Sequence, residues 1–96
     1  MDIAQLSAAD FEPLVNQPFP LELEGAGPMT LIEVETSARP GTTGRVPFSL
    51  LFSSDGCGVL PQQVYRLLHD TLGTVEIFLV PVQQQDGKTL YEAVFN

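Results

Sequence analysis

Two residues of this chain belong to types that do nucleophilic chemistry, and each occurs once: Cys57 and His69. A thiolate becomes an effective nucleophile when an imidazole stands within hydrogen-bond reach, so this pair is the one cysteine-dependent site the sequence offers. The Gly56-Cys57-Gly58 context leaves room for a substrate to approach closely. It equally describes a plain loop. No Lys or Arg flanks Cys57, and the nearby Asp55 disfavours a thiolate. The sequence therefore predicts an incidental loop cysteine and a strand or turn histidine, with a cysteine-dependent enzyme as an alternative that needs the two side chains in contact.

Other chemistries find less. Transition-metal centres need several converging Cys, His or carboxylate ligands, and one Cys with one His is a poor start. No calcium-loop pattern is present. Paired carboxylates are open to any two of the twelve acids, which singles out none. Gly25-Ala26-Gly27-Pro28 lacks the Lys and the following helix of a phosphate cradle. No catalytic residue, metal ligand or cofactor is predicted.

The charge balance narrows the partners. Twelve acids against four bases give a net charge of −8. Nucleic-acid binding needs clustered Lys and Arg, whereas Arg39, Arg45, Arg66 and Lys88 are scattered; a membrane surface is excluded on the same count. Glu22, Glu24, Glu33, Glu35, Glu76 and Glu92 fall between apolar residues, as solvent-facing strand positions would. They form a solubilising surface, or one that meets a basic partner. A mimic of DNA would need them arrayed at phosphate-like spacing.

A length of 96 residues and 44% hydrophobic content predict one folded domain over residues 1–96. Met1-Asp2-Ile3-Ala4-Gln5 lacks the start of a secretory signal, and no apolar run approaches the roughly 18 residues of a membrane span. The expectation is a cytoplasmic protein with a reduced thiol, open to incorporation into a larger assembly.

The elements that must position these residues follow from periodicity. Ser7-Ala8-Ala9-Asp10 reads as a capping box, and Leu6 with Phe11 as a hydrophobic staple. Pro13 limits the helix to one or two turns, with Phe11, Leu14 and Val15 closing one end of the core. The period then becomes two. Phe19, Leu21 and Leu23 share one face, and Met29 to Thr36 alternates with Ile32 and Val34 inward. Leu31 breaks that alternation, which allows a bulge. Phe48, Leu50 and Phe52 align in the next strand. Residues 60–73 fit a helix or a strand, and the strand is preferred. Val75 to Val80 reads as a buried strand, Pro81 belongs at an edge or bulge, and Asp86-Gly87 turns the chain into a return strand over Leu90–Phe95. Phe48, Phe52, Phe78 and Phe95 are placed inward. The fold predicted is mainly β: a small antiparallel barrel or sandwich of about six strands with a short N-terminal capping helix.

Asp10-Phe11-Glu12-Pro13-Leu14-Val15, Pro47-Phe48-Ser49-Leu50-Leu51-Phe52, Tyr65-Arg66-Leu67-Leu68-His69 through Leu72-Gly73 into Ile77–Val82, and Tyr91-Glu92-Ala93-Val94-Phe95-Asn96 resemble a bacterial family of proteins of about a hundred residues, catalogued as a domain of unknown function. The resemblance spans nearly the whole chain. It implies a complete protein ending on its last strand, a strand at Tyr65–His69, and relatives that lie beside phage-tail collar or fibre-like proteins. It implies no site residue.

The leading functional expectation is a non-enzymatic interaction or assembly protein, an accessory of a phage-tail-like or surface structure, whose partner is another protein or a second copy of itself. The alternative is a small-ligand-binding β-barrel with a cavity lined by Tyr65, Phe78 or Tyr91. The candidate contact surface is the loop Ser37–Arg45, with Arg39, Pro40, Gly41, Thr42, Thr43, Gly44 and Arg45, because it is long and carries two of the four bases. An ordinary connector is the plain reading beside it.

Overall fold

The computed structural model describes residues 6–36, 46–55 and 59–95. Its elements are helix α1 (Ala8–Phe11), continued by a 3₁₀ turn (Glu12–Leu14), and strands β1 (Pro18–Phe19), β2 (Met29–Thr36), β3 (Phe48–Asp55), β4 (Gln63–His69), β5 (Gly73–Gln85) and β6 (Lys88–Phe95). All pairings are antiparallel, in the order β1-β2-β3-β6-β5-β4. Cys57 and the loop residues Arg39–Arg45 lie outside the described residues.

The first and last strands of that order meet. Just past β1, Leu21 bridges to Leu67, the Glu22 amide donates to the Arg66 carbonyl at 2.8 Å, and the Leu68 amide donates to the Pro20 carbonyl at 2.8 Å. The sheet is thus a nearly closed barrel, the first of the two architectures predicted. Pro20 suits this seam because it contributes only its carbonyl there, and its missing N–H leaves no donor unpaired.

β5 serves two neighbours in succession. Gly73–Leu79 pairs with β4, and Val80–Gln85 pairs with β6. The register shifts between Pro81 and Gln83, so Pro81 sits at a bulge, as its lack of a donor requires. A second shift lies between Leu31 and Glu33 in β2. The extra residue there is Ile32, which the bulge turns outward to 37% exposure, while Leu31 takes the buried place. The alternation expected across Ile32 is therefore corrected, although Val34 beyond the bulge packs against the core. Leu23 is corrected as well. The chain leaves β1 after Leu21 and turns with the Ala26 amide on the Leu23 carbonyl, which leaves Leu23 exposed.

Residues 60–73 contain a strand, β4, with Tyr65 and Leu67 buried and Val64, Arg66 and Leu68 facing out. The hairpin between β5 and β6 turns at Asp86 (φ 52°) and Gly87 (φ 78°), the left-handed pair a tight two-residue loop demands.

Helix α1 closes one end of the barrel. The Asp10 carboxylate reaches back to the Ser7 amide at 2.8 Å and also accepts from the Ser7 hydroxyl. Phe11, fully buried, lies 5.9 Å from Phe48 and 6.1 Å from Phe95, and those two rings stack at 4.6 Å. Leu6, Leu14 and Val15 join the same core. Apolar burial of this kind is the main stabilising term for a chain this short.

Candidate functional site

His69, at the end of β4, is held from two sides. The Thr71 amide donates to Nδ1 at 3.0 Å, so that nitrogen carries the lone pair. Nε2 therefore bears the proton and donates to Gln17 Oε1 at 2.7 Å. The Gln17 amide group in turn donates to the Pro13 carbonyl at 3.5 Å. The ring lies 4.8 Å from that of Phe19, which is fully buried in β1. His69 thus ties the residues leading into β1 to the β4–β5 turn, beside the seam that closes the barrel. Neither ring nitrogen is free to take a proton from a nucleophile. Its supposed partner, Cys57, lies outside the described residues.

The same bracket forms one wall of a cleft. Gln17, Pro18, Pro20, Leu68, His69, Asp70, Gly73 and Thr74 line this open cleft of about 340 Å³. Pro18, Pro20 and Leu68 give it apolar sides. Asp70, in the turn, is exposed, and among the described residues no hydrogen bond or ion pair engages it. A second, smaller depression of about 50 Å³ lies on the outside of β2, β3 and β6, where Glu33, Glu35 and Glu92 surround Ser49 and Leu51.

The residues expected to line an internal cavity separate. Tyr65 and Tyr91 do face inward, and both tie down the segment that enters β4: the Tyr65 hydroxyl donates to the Pro61 carbonyl, and the Leu60 amide donates to the Tyr91 hydroxyl at 2.9 Å. Burial pushes the Tyr65 phenol above its ordinary pKa, and nearby Tyr91 adds to the effect. Phe78 does not join them. It faces outward and is 50% exposed, because Val75, Ile77 and Leu79 take the inward positions of β5. The inward placement of Phe78 is thereby corrected. Phe48 and Phe52 are buried and Phe95 half-buried.

Outside the barrel Phe78 has apolar company. It is the direct cross-strand partner of Val64, which is 53% exposed. Val94, 62% exposed, stands on the same outward face two residues beyond Glu92, the partner of Val80. Around these lie Glu76, paired across the ladder with Arg66, and Glu92. Arg66 also reaches Glu22 at 3.5 Å, an exposed pair. Sequence reasoning missed this patch. The available signal was parity: with 75, 77 and 79 inward, 78 must point out.

Among the described residues no three His, Cys, Asp or Glu side chains are grouped to hold a metal ion, and no helix is long and apolar enough to cross a membrane. No curated protein and no solved structure matches the chain. One family model does, over residues 6–95. With nearly its whole length matched, the chain belongs to the family described as Domain of unknown function (DUF6916).

Proposed function

We propose that this protein is a non-enzymatic interaction module, an accessory of a larger assembly such as a phage-tail-like or surface structure, and that it engages its partner through the outer face of β4, β5 and β6. The observation that carries this reading is the exposed cross-strand pair Val64–Phe78, with Val94 on the same face. Single exposed apolar side chains are ordinary, whereas neighbouring ones rimmed by polar residues are a feature of interaction surfaces, and this is what supports the reading. The phage-tail-like setting draws its support from the neighbours that the family resemblance implies.

The partner's chemistry follows from the rim. Glu76, Glu92 and Arg66 border the patch, Arg66 being paired with Glu22, and the chain carries a net charge of −8. Those charges favour an apolar ridge flanked by basic side chains. A second copy would bring like charges together, so a different protein is the better fit.

The test uses the protein purified at native level from its source and weighed by native mass spectrometry, beside Phe78→Ser. A heteromeric mass in the wild type that disappears in F78S, with the variant's fold intact by circular dichroism, supports the reading. A bare monomer, or a complex that F78S leaves unchanged, refutes it.

A further inference from the structure

The polar atoms in the cleft between β1 and the β4–β5 turn are not equally available. Both nitrogens of His69 are engaged, and Gln17 commits its oxygen to His69 and one of its two amide N–H groups to Pro13. Asp70 alone brings a carboxylate that no hydrogen bond or ion pair occupies among the described residues. A carboxylate only accepts. Of the remaining lining, Pro18, Pro20 and Leu68 are apolar, and Gly73 and Thr74 complete the walls.

From this arrangement we infer that the cleft is an anchor pocket for a Lys or Arg side chain of the partner protein, its methylene stem against Pro18, Pro20 and Leu68 and its cationic head at Asp70. The inference rests on the interaction reading above and deepens it. Long basic side chains have the required division into an apolar stem and a charged tip. A purely apolar group would strip water from the carboxylate without replacing it, and an acidic one would meet repulsion. The walls are pre-formed: proline rings have little freedom to lose, and two hydrogen bonds fix the His69 ring. At about 340 Å³ the space is ample for one such side chain.

The placement also sets a spacing. Leu68 and Val64 lie on the same outward face of β4, four residues apart, or about 13 Å in an extended strand. A partner strand running along the hairpin would therefore set an apolar residue on Val64–Phe78 and a basic one four positions away in the cleft.

The test titrates the isotopically labelled full chain with Nα-acetyl-arginine amide and Nα-acetyl-lysine amide, followed by amide NMR. Nα-acetyl-norleucine amide and 1,4-diaminobutane serve as the neutral and the free-cation comparisons. Saturable shifts confined to Gln17 and the segment from Leu68 to Thr74 are expected with the two basic probes. Asp70→Asn should weaken them about three- to fivefold, the range of an exposed ion pair, and added salt should do the same. F78S should bind the probes like the wild type, so failure of the pocket and failure of the partner reading are separable. An equal response to norleucine amide, an unaltered affinity in D70N, no saturable shift at the cleft, or binding of the diamine without the capped amino acids would each overturn the inference.

Discussion

Replacing His69 distinguishes a side chain that holds the barrel shut from one that is held ready for chemistry. His69→Phe keeps a ring beside Phe19 and deletes both hydrogen bonds. Gln17 and Thr71 are exposed, so water takes over the released groups, and each bond counts near the lower end of its usual 0.5–1.5 kcal/mol. The expected loss is about 1 kcal/mol. His69→Ala also forfeits the 4.8 Å ring contact with Phe19, an aromatic interaction of about 0.5–1.5 kcal/mol beyond its buried area, for about 2–3 kcal/mol in all. At about 1 kcal/mol per molar urea for a chain this small, the unfolding midpoint drops by about 1 M in the first variant and about 2–3 M in the second. Gln17→Ala combined with His69→Phe should cost less than the two single changes added, because both remove the same bond. Ring-nitrogen NMR should show Nδ1 bare and Nε2 protonated. Wild-type midpoints in both His69 variants, strict additivity with Gln17→Ala, or the opposite tautomer would refute the bracket.

Other expectations follow from burial. Phe11→Ala removes the ring that seals the helical end and should cost about 3–5 kcal/mol in urea unfolding, whereas Phe78→Ser, which gives up only the outer cross-strand contact with Val64, should cost no more than about 1 kcal/mol. The raised pKa of Tyr65 means that above about pH 10 the unfolded chain loses a proton the folded chain keeps. Its contribution is therefore complete below about pH 10 and lost as the pH rises through the folded value, a loss of alkaline stability that Tyr65→Phe should flatten when unfolding is followed across pH. Gly87→Ala forces a side chain into φ 78° and should cost about 1–2 kcal/mol, read as a lowered melting temperature.

The barrel was legible where local chemistry and alternation agreed. Met29–Thr36 and the Asp86-Gly87 hairpin stand where periodicity put them, and Pro81 falls at a bulge because it has no amide to give. The short β1 was harder to see. Phe19, Leu21 and Leu23 alternate well enough for a longer strand, but the chain crosses from β2 to β4 within a few residues and then turns away. Bulges hid more, since an inserted residue turns an apolar side chain outward without changing composition: Ile32 and Val82 are both exposed for this reason. The His69 bracket was not legible, because Gln17 is 52 residues away in sequence and nothing local marks it as the ring's partner. Nor was the cleft, which exists only because the barrel's two end strands meet.

Phe78 is the informative failure. An apolar run such as Ile77 to Val80 reads as buried on both faces unless something outside the barrel is known to be absent. The register cannot be blamed for its exposure. Slipping β5 by one residue would bury Phe78 but expose Val75, Ile77 and Leu79, each at most 1% exposed, so the inward set dictates the register by a wide margin. A phenylalanine at an outward position gives the isolated chain a cross-strand contact with Val64 of about 0.2–1 kcal/mol, and it costs solubility. On the proposed reading, a covering partner repays the remainder. A second copy is a poorer cover on charge, because it would bring another net charge of −8 against the face that carries Glu76 and Glu92. The proposed basic partner would remove the repulsion and fill the Asp70 cleft with the same kind of residue. Sedimentation should accordingly find the purified protein monomeric at low salt, where like-charge repulsion is strongest; a dimer abolished by F78S would mean that the apolar pair outweighs the acidic rim and that the chain covers itself.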